Sequence, residues 1–339
     1  MKPRLPRHRD QRGVVILWMA FLILTLLGCV ALGVDVAKLM ATRSQLQNAA
    51  DAAALAGASA LDPATYTIQP GLAKQRAFYT AGQNKAYEMV TTPVQLDTAN
   101  DVFVDNVAHT VRVIVRREAG APIISHFAQV VGWTSMQARA EATARVDSAG
   151  SVCRNLVPLA VEPEDEDDDF VAGCAYTYRI KEGGGSGFQG KYGAVEFPLC
   201  PDGPCAGMSP TGANTLRCLL ENGYGCCVQE LACLPAKSGN NSGPVKQAIE
   251  ARFARDTDQR PDICYEQYTG NGARVLYVPI TSEIEDGCYT VQRFGAFFVK
   301  RIPGNGNQNF ITAEFINATA PGGGGGPGGG SVFALRLIK

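Results

Sequence analysis

Charge is nearly balanced in this sequence, and one long stretch has none at all. The 339 residues have a formal net charge of −1, so no overall electrostatic field draws nucleic acid to the protein. Residues 14–34 contain no Asp, Glu, Lys or Arg, and only Thr25 and glycines interrupt the apolar side chains. About 20 apolar helical residues cross the ~30 Å hydrocarbon core of a bilayer. The stretch therefore predicts a transmembrane helix at 14–34.

Positive charge is concentrated directly before this stretch. Among the first twelve residues one is acidic, Asp10, and five are basic: Lys2, Arg4, Arg7, Arg9 and Arg12. Basic residues flanking a membrane span favour the cytoplasmic side. The sequence thus predicts a cytoplasmic tail over 1–13, with the bulk of the chain outside the cytoplasm.

Cysteine is missing between residues 30 and 152, and no two cysteines have C-x-x-C spacing. With only three histidines in the chain, a zinc site is the weaker interpretation of the cysteines. The even number of cysteines beyond the apolar stretch indicates disulfides in an oxidising compartment. The sequence does not determine which cysteines pair. The candidates are Cys153, Cys174, Cys200, Cys205, Cys218, Cys226, Cys227, Cys233, Cys264 and Cys288.

Proline is absent from residues 7–62, so the helix is expected to continue beyond the membrane, from Val14 to Leu61. Its last part, 49–60, is mostly alanine, and small side chains let another backbone approach closely. This segment, termed here the small-residue stripe, predicts a docking surface for another helix or for the protein's own sheet. The alternative is that alanine serves only as a good helix former. The docking candidates are Ala49, Ala50, Ala53, Ala56 and Gly57.

The rest of the chain reads as two regions. Region 35–147 joins the helix extension to a helix over 72–91, strands over 102–107, 110–116 and 136–146, and an amphipathic helix over 123–132. Region 148–339 is Cys- and Gly-rich, with strands over 156–161, 274–280, 288–302, 310–319 and 332–339 and a helix over 246–255. Residues 200–233 are expected to lack long elements and to be ordered by crosslinks. The fold class is α+β: a transmembrane helix extended into a long Ala-rich helix, then a β-rich, disulfide-stapled extracytoplasmic region.

Several residues near the N-terminus match a known family. Arg12-Gly13 precede the span, Asp35 follows it, and LQNAADAAALAGA occupies 46–58. In this spacing the segment resembles the N-terminal segment of TadG-like proteins of Flp pilus (tight adherence) systems, and a looser resemblance continues through residue 147. The segment 239–247 (GNNSGPVKQ) and 274–280 (RVLYVPI) also resemble the region that follows in many such proteins. The Cys-dense span 200–233 is not a general feature of that family.

Three processing routes are alternatives to an uncleaved anchor. A cleaved signal peptide has a shorter apolar core, and the nearest Ala-x-Ala pattern, 58–60, lies far beyond this one. A lipoprotein route would acylate Cys29 after Leu26-Leu27-Gly28, although apolar residues continue past it. A prepilin peptidase would cut after Gly13, but Trp18 stands where pilin-type subunits usually carry Glu. We expect the uncleaved anchor.

Motifs for catalysis and metal binding are missing. No G-x-S-x-G or H-E-x-x-H occurs, and the G-x-x-x-x-G-K match at 185–191 is followed by Tyr192 instead of Ser or Thr. Consecutive acids over 164–169 lack EF-hand spacing, and 147–151 lacks the D-x-S-x-S loop of von Willebrand type A domains. His109 and His126 are expected in a turn and on a helix face. We therefore predict no catalytic residue, cofactor or metal, and no enzyme.

The resemblance implies a non-enzymatic accessory or structural component of an Flp-type (Tad) pilus assembly or secretion apparatus in the bacterial envelope. Its partners would be the membrane and other pilus or secretion-system proteins, with no nucleic acid and with the oligomeric state left open. The alternative is a membrane-anchored surface adhesin or ligand-binding module with the same anchor. An envelope enzyme would need a pocket that joins distant polar residues.

Overall fold

The structure, a computed structural model, describes residues 12–84, 86, 94–118, 122–164, 169–198, 200–209, 211–326 and 330–338. They form two compact units, each built from several chain segments. The first unit contains the chain up to Ala53 with Ala77–Val102 and Val113–Ala142, and the second contains Ala54–Arg76, Phe103–Arg112 and Thr143–Lys339. The sequence-based boundaries at 13, 34 and 147 stay predictions.

Helix α1 dominates the N-terminal part of the chain. It spans 47 residues, which corresponds to a length of about 70 Å. The predicted continuation of the apolar stretch into an Ala-rich helix is therefore confirmed. The α-helices of the described residues are α1 (Arg12–Ala58), α2 (Pro70–Gln83), α3 (Ala213–Asn222) and α4 (Ser242–Arg255).

Helices α2 and α3 differ from the sequence predictions. Helix α2 begins two residues earlier than expected, at Pro70, a residue favoured in the first helical turn, and ends at Gln83. The rest of the predicted helix lies largely outside the described residues. Helix α3 contradicts the prediction that 200–233 lacks long elements. The prediction considered the composition of the whole window, which contains one ten-residue segment without Gly or Pro. This segment forms α3, and its residues Leu216 and Leu220, one turn apart, are buried.

The strands agree with most sequence predictions, but between residues 151 and 235 only the strand near 156–161 was predicted and the other short strands were not. The strands are β1 (Val102–Asp105), β2 (Thr110–Arg117), β3 (Ile123–Ile124), β4 (Ser135–Met136), β5 (Ala138–Ser148), β6 (Ser151–Cys153), β7 (Leu159–Pro163), β8 (Tyr178–Glu182), β9 (Gly190–Ala194), β10 (Cys227–Gln229), β11 (Cys233–Pro235), β12 (Val275–Thr281), β13 (Cys288–Arg301), β14 (Ile311–Ile316), β15 (Ala318–Thr319) and β16 (Val332–Ile338).

The predicted amphipathic helix over 123–132 is wrong. The segment instead forms the short strand β3, which pairs with β4, and a 3₁₀ turn at Ala128–Val131. Gly132 ends the turn in the left-handed conformation, with φ 88°, which glycine adopts without strain. The β-branched residues Ile123 and Ile124 favour the strand.

One mixed sheet organises the second unit. Its strand order is β11-β13-β12-β7-β9-β8-β14, and β14 also pairs with β13, so six of the seven strands close into a ring. The pairs β12–β7 and β8–β9 are parallel, and the others in the ring are antiparallel. Closure leaves few open edges for pairing with other chains.

The long strand β13 is buried on both faces. Phe297 and Val299 belong to one hydrophobic core together with side chains of α3 and α4. Their neighbours Ala296 and Phe298 point the opposite way, into a second core that includes Val332 and Ala334 of β16. A strand that lies between two cores has a continuous apolar sequence, because both of its faces are buried. The Phe-rich sequence of β13 therefore predicted a strand but showed no alternation between a buried and an exposed face.

A five-stranded sheet with the order β1-β2-β5-β16-β15 contains the alternating segment predicted at 136–146. Strand β5 buries every second residue from Ala138 to Val146. Strand β16 pairs with β5 antiparallel, with Leu335 opposite Val146. Two-residue periodicity in the sequence thus corresponds to one buried sheet face.

All ten cysteines beyond the apolar stretch lie in pairs at disulfide distance, within the second unit. Cys29 is free and exposed. The crosslinks connect segments between 13 and 90 residues apart in the sequence. The pairs are Cys153–Cys227, Cys174–Cys264, Cys200–Cys226, Cys205–Cys218 and Cys233–Cys288.

Candidate functional site

The apolar stretch of α1 is not covered by the described part of the protein. Its large apolar side chains from Val14 to Val34 are exposed, for example Leu17 at 74%. If this face were in water, the protein would lose the favourable free energy that burial of apolar surface provides. The helix is long and apolar enough to cross a membrane. Cys29 lies within this exposed stretch.

At Asp35 the environment of the helix changes abruptly. This carboxylate is buried, and it accepts four hydrogen bonds from a segment about 90 residues away. The hydroxyl of Ser125 donates over 2.8 Å, and the backbone N–H groups of His126, Phe127 and Ala128 donate over 3.0, 2.8 and 2.8 Å. These hydrogen bonds hold the pKa of Asp35 well below its usual range, and the bond from the His126 N–H makes the largest contribution.

The segment that binds Asp35 is residues 122–137, termed here the Asp35 loop. Strands β3 and β4 close its base, and the hydroxyl of Ser125 also accepts the N–H of Ala128 over 3.1 Å. The side-chain amide of Gln129 donates to the carbonyl of Ser125. One turn further along α1, the Lys38 ammonium donates to the carbonyl of Ile124 over 2.9 Å. Helix and loop are therefore joined at two adjacent points.

The small-residue stripe is largely covered by the protein itself. Ala49, Ala50 and Ala53 are fully buried, Gly57 is also buried, and Ala56 is half-buried. Beside the stripe, the amide of Gln47 donates to Asp51 over 2.8 Å and to the carbonyl of Glu141 over 3.1 Å. Of the two docking alternatives, this burial supports packing against the chain's own residues. Ala56 is the least covered of the five candidates.

The groups considered for metal or phosphate binding are engaged in other contacts. Cys174, Cys264 and Glu314 come within ligand distance of one another, but both sulfurs belong to one disulfide and cannot act as thiolates. The glycine-rich match at 185–191 leads into strand β9, not into a helix, and the Lys191 ammonium lies 2.9 Å from Glu283. Residues 165–168 of the acidic run lie outside the described residues.

Two histidines are placed by local structure. His109 stands in the turn between β1 and β2 with φ 49°, and its ring lies 4.2 Å from that of Tyr66. His126 is exposed in the Asp35 loop and contributes its backbone N–H to Asp35. Neither ring belongs to a group of three or more potential metal ligands among the described residues.

Two open cavities of the second unit bring distant polar residues together. One, of about 290 Å³, is lined by Glu162, Asp169, Glu283 and Arg293 among others. The other, of about 410 Å³, includes Arg76, whose guanidinium donates to the carbonyl of Ser59 over 2.6 Å. Arg293 is paired with Asp169, so charged groups in both cavities already serve internal contacts.

Sequence reasoning used Asp35 only as part of a motif and missed its partners. A bond between residues 90 positions apart leaves no trace in local periodicity. The available signals were an acid directly after an apolar stretch and the lack of charge over 122–137.

These features define a class of protein: one with an N-terminal candidate membrane anchor, an Ala-rich extension of the same helix, and a unit rich in disulfides. The comparison with known families agrees with this class. Residues 13–60 match the model of the Tad family, described as Flp pilus-assembly TadE/G-like, which confirms for this segment the resemblance drawn from its sequence. No curated protein and no solved structure matches the chain.

Proposed function

We propose that this protein is a non-enzymatic accessory or structural component of an Flp-type pilus assembly or secretion apparatus in the bacterial envelope. The match of residues 13–60 to the TadE/G-like family is the observation that carries the proposal. The matched segment coincides with the exposed apolar stretch, the buried Asp35 and the small-residue stripe. The anchor of the chain and its junction with the folded part are thus the elements that it shares with that family.

The proposed location is the inner membrane, with the N-terminus in the cytoplasm and the bulk in the periplasm or outside the cell. The basic residues before Gly13 support this orientation through the positive-inside tendency. The five cysteine pairs support an oxidising compartment for the second unit. Its partners are the membrane and other proteins of the pilus or secretion system.

The proposed physical role combines a membrane helix that is held within the first unit with a stable head, which is the disulfide-rich second unit. Four hydrogen bonds to Asp35 fix the helix to the Asp35 loop. Crosslinks restrict unfolding of the head under proteolysis or mechanical force. Both properties suit a component that positions others in an envelope machine.

The test is complementation of a gene deletion in the native bacterium, with pili counted by microscopy and attachment measured separately. We expect the full chain to restore both pili and attachment, and a chain lacking 151–339 to restore neither. Membrane levels of each variant, measured by immunoblotting, control for lost expression. Unchanged pili and attachment in the deletion strain would contradict the proposal.

The adhesin alternative predicts a different outcome of the same experiment. A chain lacking 151–339 would then restore pili but not attachment, and the isolated 151–339 segment would bind a surface. The Ala56→Leu variant adds a test of partner packing, because Ala56 keeps some exposure in the stripe. Its crosslinking to pilus-system proteins should fall if another helix packs closely there.

A further inference from the structure

We propose that the Asp35 loop is a second membrane contact of this protein, seated in the interfacial layer of the bilayer on the side where α1 leaves the membrane. The inference rests on the proposed membrane anchoring and goes beyond it. It concerns the first unit only, in which Asp35 and residues 122–137 both lie.

The first step is the level of the loop along the membrane normal. The apolar stretch ends at Val34, and its length matches the ~30 Å hydrocarbon core. Asp35 is the next residue and therefore lies where hydrocarbon gives way to headgroups. Because the loop's backbone at His126, Phe127 and Ala128 is hydrogen-bonded to that carboxylate, the loop lies at the same level.

The second step is the chemistry of the exposed side chains. Trp133 is 68% exposed, and Ile124 and Phe127 are each 47% exposed. Tryptophan is enriched at the level of the headgroups, since its ring combines an apolar body with an N–H donor. On α1 itself, Val36 and Met40 are also exposed, so exposed apolar side chains continue along the helix beyond Asp35.

The third step is the absence of charge. Residues 122–137 contain no Asp, Glu, Lys or Arg, and His126 is the loop's only titratable residue. Charged side chains are costly to transfer out of water, so a loop without them enters an interface at low cost. Asp35, the acid bound by the loop, is buried and has four donors.

The fourth step is the backbone. A loop immersed among lipids needs internal partners for its N–H groups, because hydrocarbon offers none. Besides the three N–H groups bound to Asp35, those of Ser125, Gly132 and Trp133 donate to loop carbonyls over 3.2, 3.0 and 3.0 Å. This short irregular segment is thus already satisfied without water at these positions.

A lipid surface fits these observations better than a protein partner. The exposed apolar residues of the loop lie at the level fixed by the span, and they include tryptophan, the residue type enriched at membrane interfaces. The same exposed residues could otherwise serve a helix of another protein, and the experiment separates the two.

The experiment uses the two tryptophans of the full chain, Trp18 in the apolar stretch and Trp133 in the loop. In the Trp18→Phe variant, Trp133 is the single reporter. The variant is reconstituted into phosphatidylcholine vesicles with bromine placed either near the headgroup end or near the terminus of the acyl chains. We expect a loss of Trp133 emission that is larger with the shallow bromine, and weak quenching by aqueous iodide.

The outcomes separate this inference from the proposed anchoring. In the Trp133→Phe control, Trp18 should be quenched by brominated lipid, and its failure to respond would overturn the anchor itself. If Trp18 responds but iodide alone quenches Trp133, the loop is in water and the inference is wrong. If neither lipid nor iodide quenches Trp133, protein covers it, which also overturns the inference.

A second variant tests the positioning role of Asp35. With Trp133 as reporter, Asp35→Ala should reduce quenching by shallow bromine and increase quenching by iodide. The matched control is Asp51→Ala on the same helix, since Asp51 accepts a side-chain hydrogen bond from Gln47 and none from the loop. Equal effects of both variants would contradict a specific role for Asp35.

Discussion

A buried carboxylate, that of Asp35, joins the apolar helix of this protein to the Asp35 loop within the first unit. Asp35 directly follows an apolar stretch, where an acid would ordinarily be expected to face water. Instead the chain folds back and surrounds it with the donors of Ser125, His126, Phe127 and Ala128. Donors fixed by the backbone favour the ionised acid and are left unsatisfied when the acid is removed.

Replacing Asp35 with Ala should release the Asp35 loop. We expect faster amide exchange at His126, Phe127 and Ala128, because their N–H groups lose their acceptor. Hydrogen exchange read by mass spectrometry on the reconstituted protein measures this. Asp51→Ala should leave those amides protected, and equal protection in wild type and Asp35→Ala would contradict the assigned contact.

The same contact predicts a pH dependence. The pKa of Asp35 is lowered in the folded protein, so its contribution to stability is complete above the ordinary aspartate pKa of about 4. That contribution is lost as the pH falls below this value, because protonation is linked to release of the donors. Trp133 fluorescence in the Trp18→Phe variant should change in this acid range. Asp35→Asn should abolish the change.

Arg274 is the corresponding buried charge of the second unit. Its side chain is fully buried, its Nε lies 3.4 Å from Asp256 Oδ2, and its guanidinium lies 4.6 Å from the centre of the Phe298 ring. Arg274→Ala should lower the free energy of unfolding by about 3–5 kcal/mol, since it removes the cationic partner of the buried Asp256 carboxylate. That carboxylate then keeps, among the described residues, only the donors of Tyr268 and the Asp258 N–H. Denaturant unfolding measures the change. The control Arg301→Ala removes an exposed pair with Asp262 and should cost about 1 kcal/mol or less.

At the scale of elements, α1 is one helix in several environments. Its apolar part is exposed, Asp35 is buried among hydrogen-bond donors, and its alanines are packed within the protein. Helix propensity is uniform enough to keep the chain helical throughout, but it does not decide what each turn contacts. The stripe predicts a close approach by another helix or by the chain's own sheet, and the burial of its alanines favours packing within the chain.

Two leucine substitutions measure that packing. Ala53→Leu should lower the free energy of unfolding by about 1–3 kcal/mol, because a fully buried methyl leaves no space for a larger side chain. Ala56→Leu, one turn away and half-buried, should have a smaller effect. Thermal unfolding in the same detergent compares the two. A larger loss for Ala56→Leu would contradict the assignment of the buried face.

At the scale of the whole molecule, cysteine pairing distinguishes the candidate anchor from the head. Denatured full-length protein kept without reductant should take up one thiol label, at Cys29, and after reduction all eleven cysteines should react. Intact-mass measurement counts the labels. No label before reduction would indicate a modified Cys29, and more than one would contradict the five pairs.

The amino-acid sequence by itself determined the apolar helix, its Ala-rich extension and most strands of the head. These depend on runs, periodicity and composition within a few residues of each other, which the chain carries locally. Helix α3 was not predicted, because its ten residues, which contain no Gly or Pro, lie in a window dominated by Gly, Pro and Cys.

Only the tertiary structure decided the cysteine pairs, the closed ring of strands and the partner of Asp35. Each joins segments far apart in the chain, as in the 90-residue separation of Cys174 and Cys264. The Asp35 loop shows the consequence most clearly: its sequence predicted a helix, and a distant carboxylate with strand pairing at its base gave a different structure. Local preferences are worth fractions of a kcal/mol per residue, so a few long-range contacts reverse them.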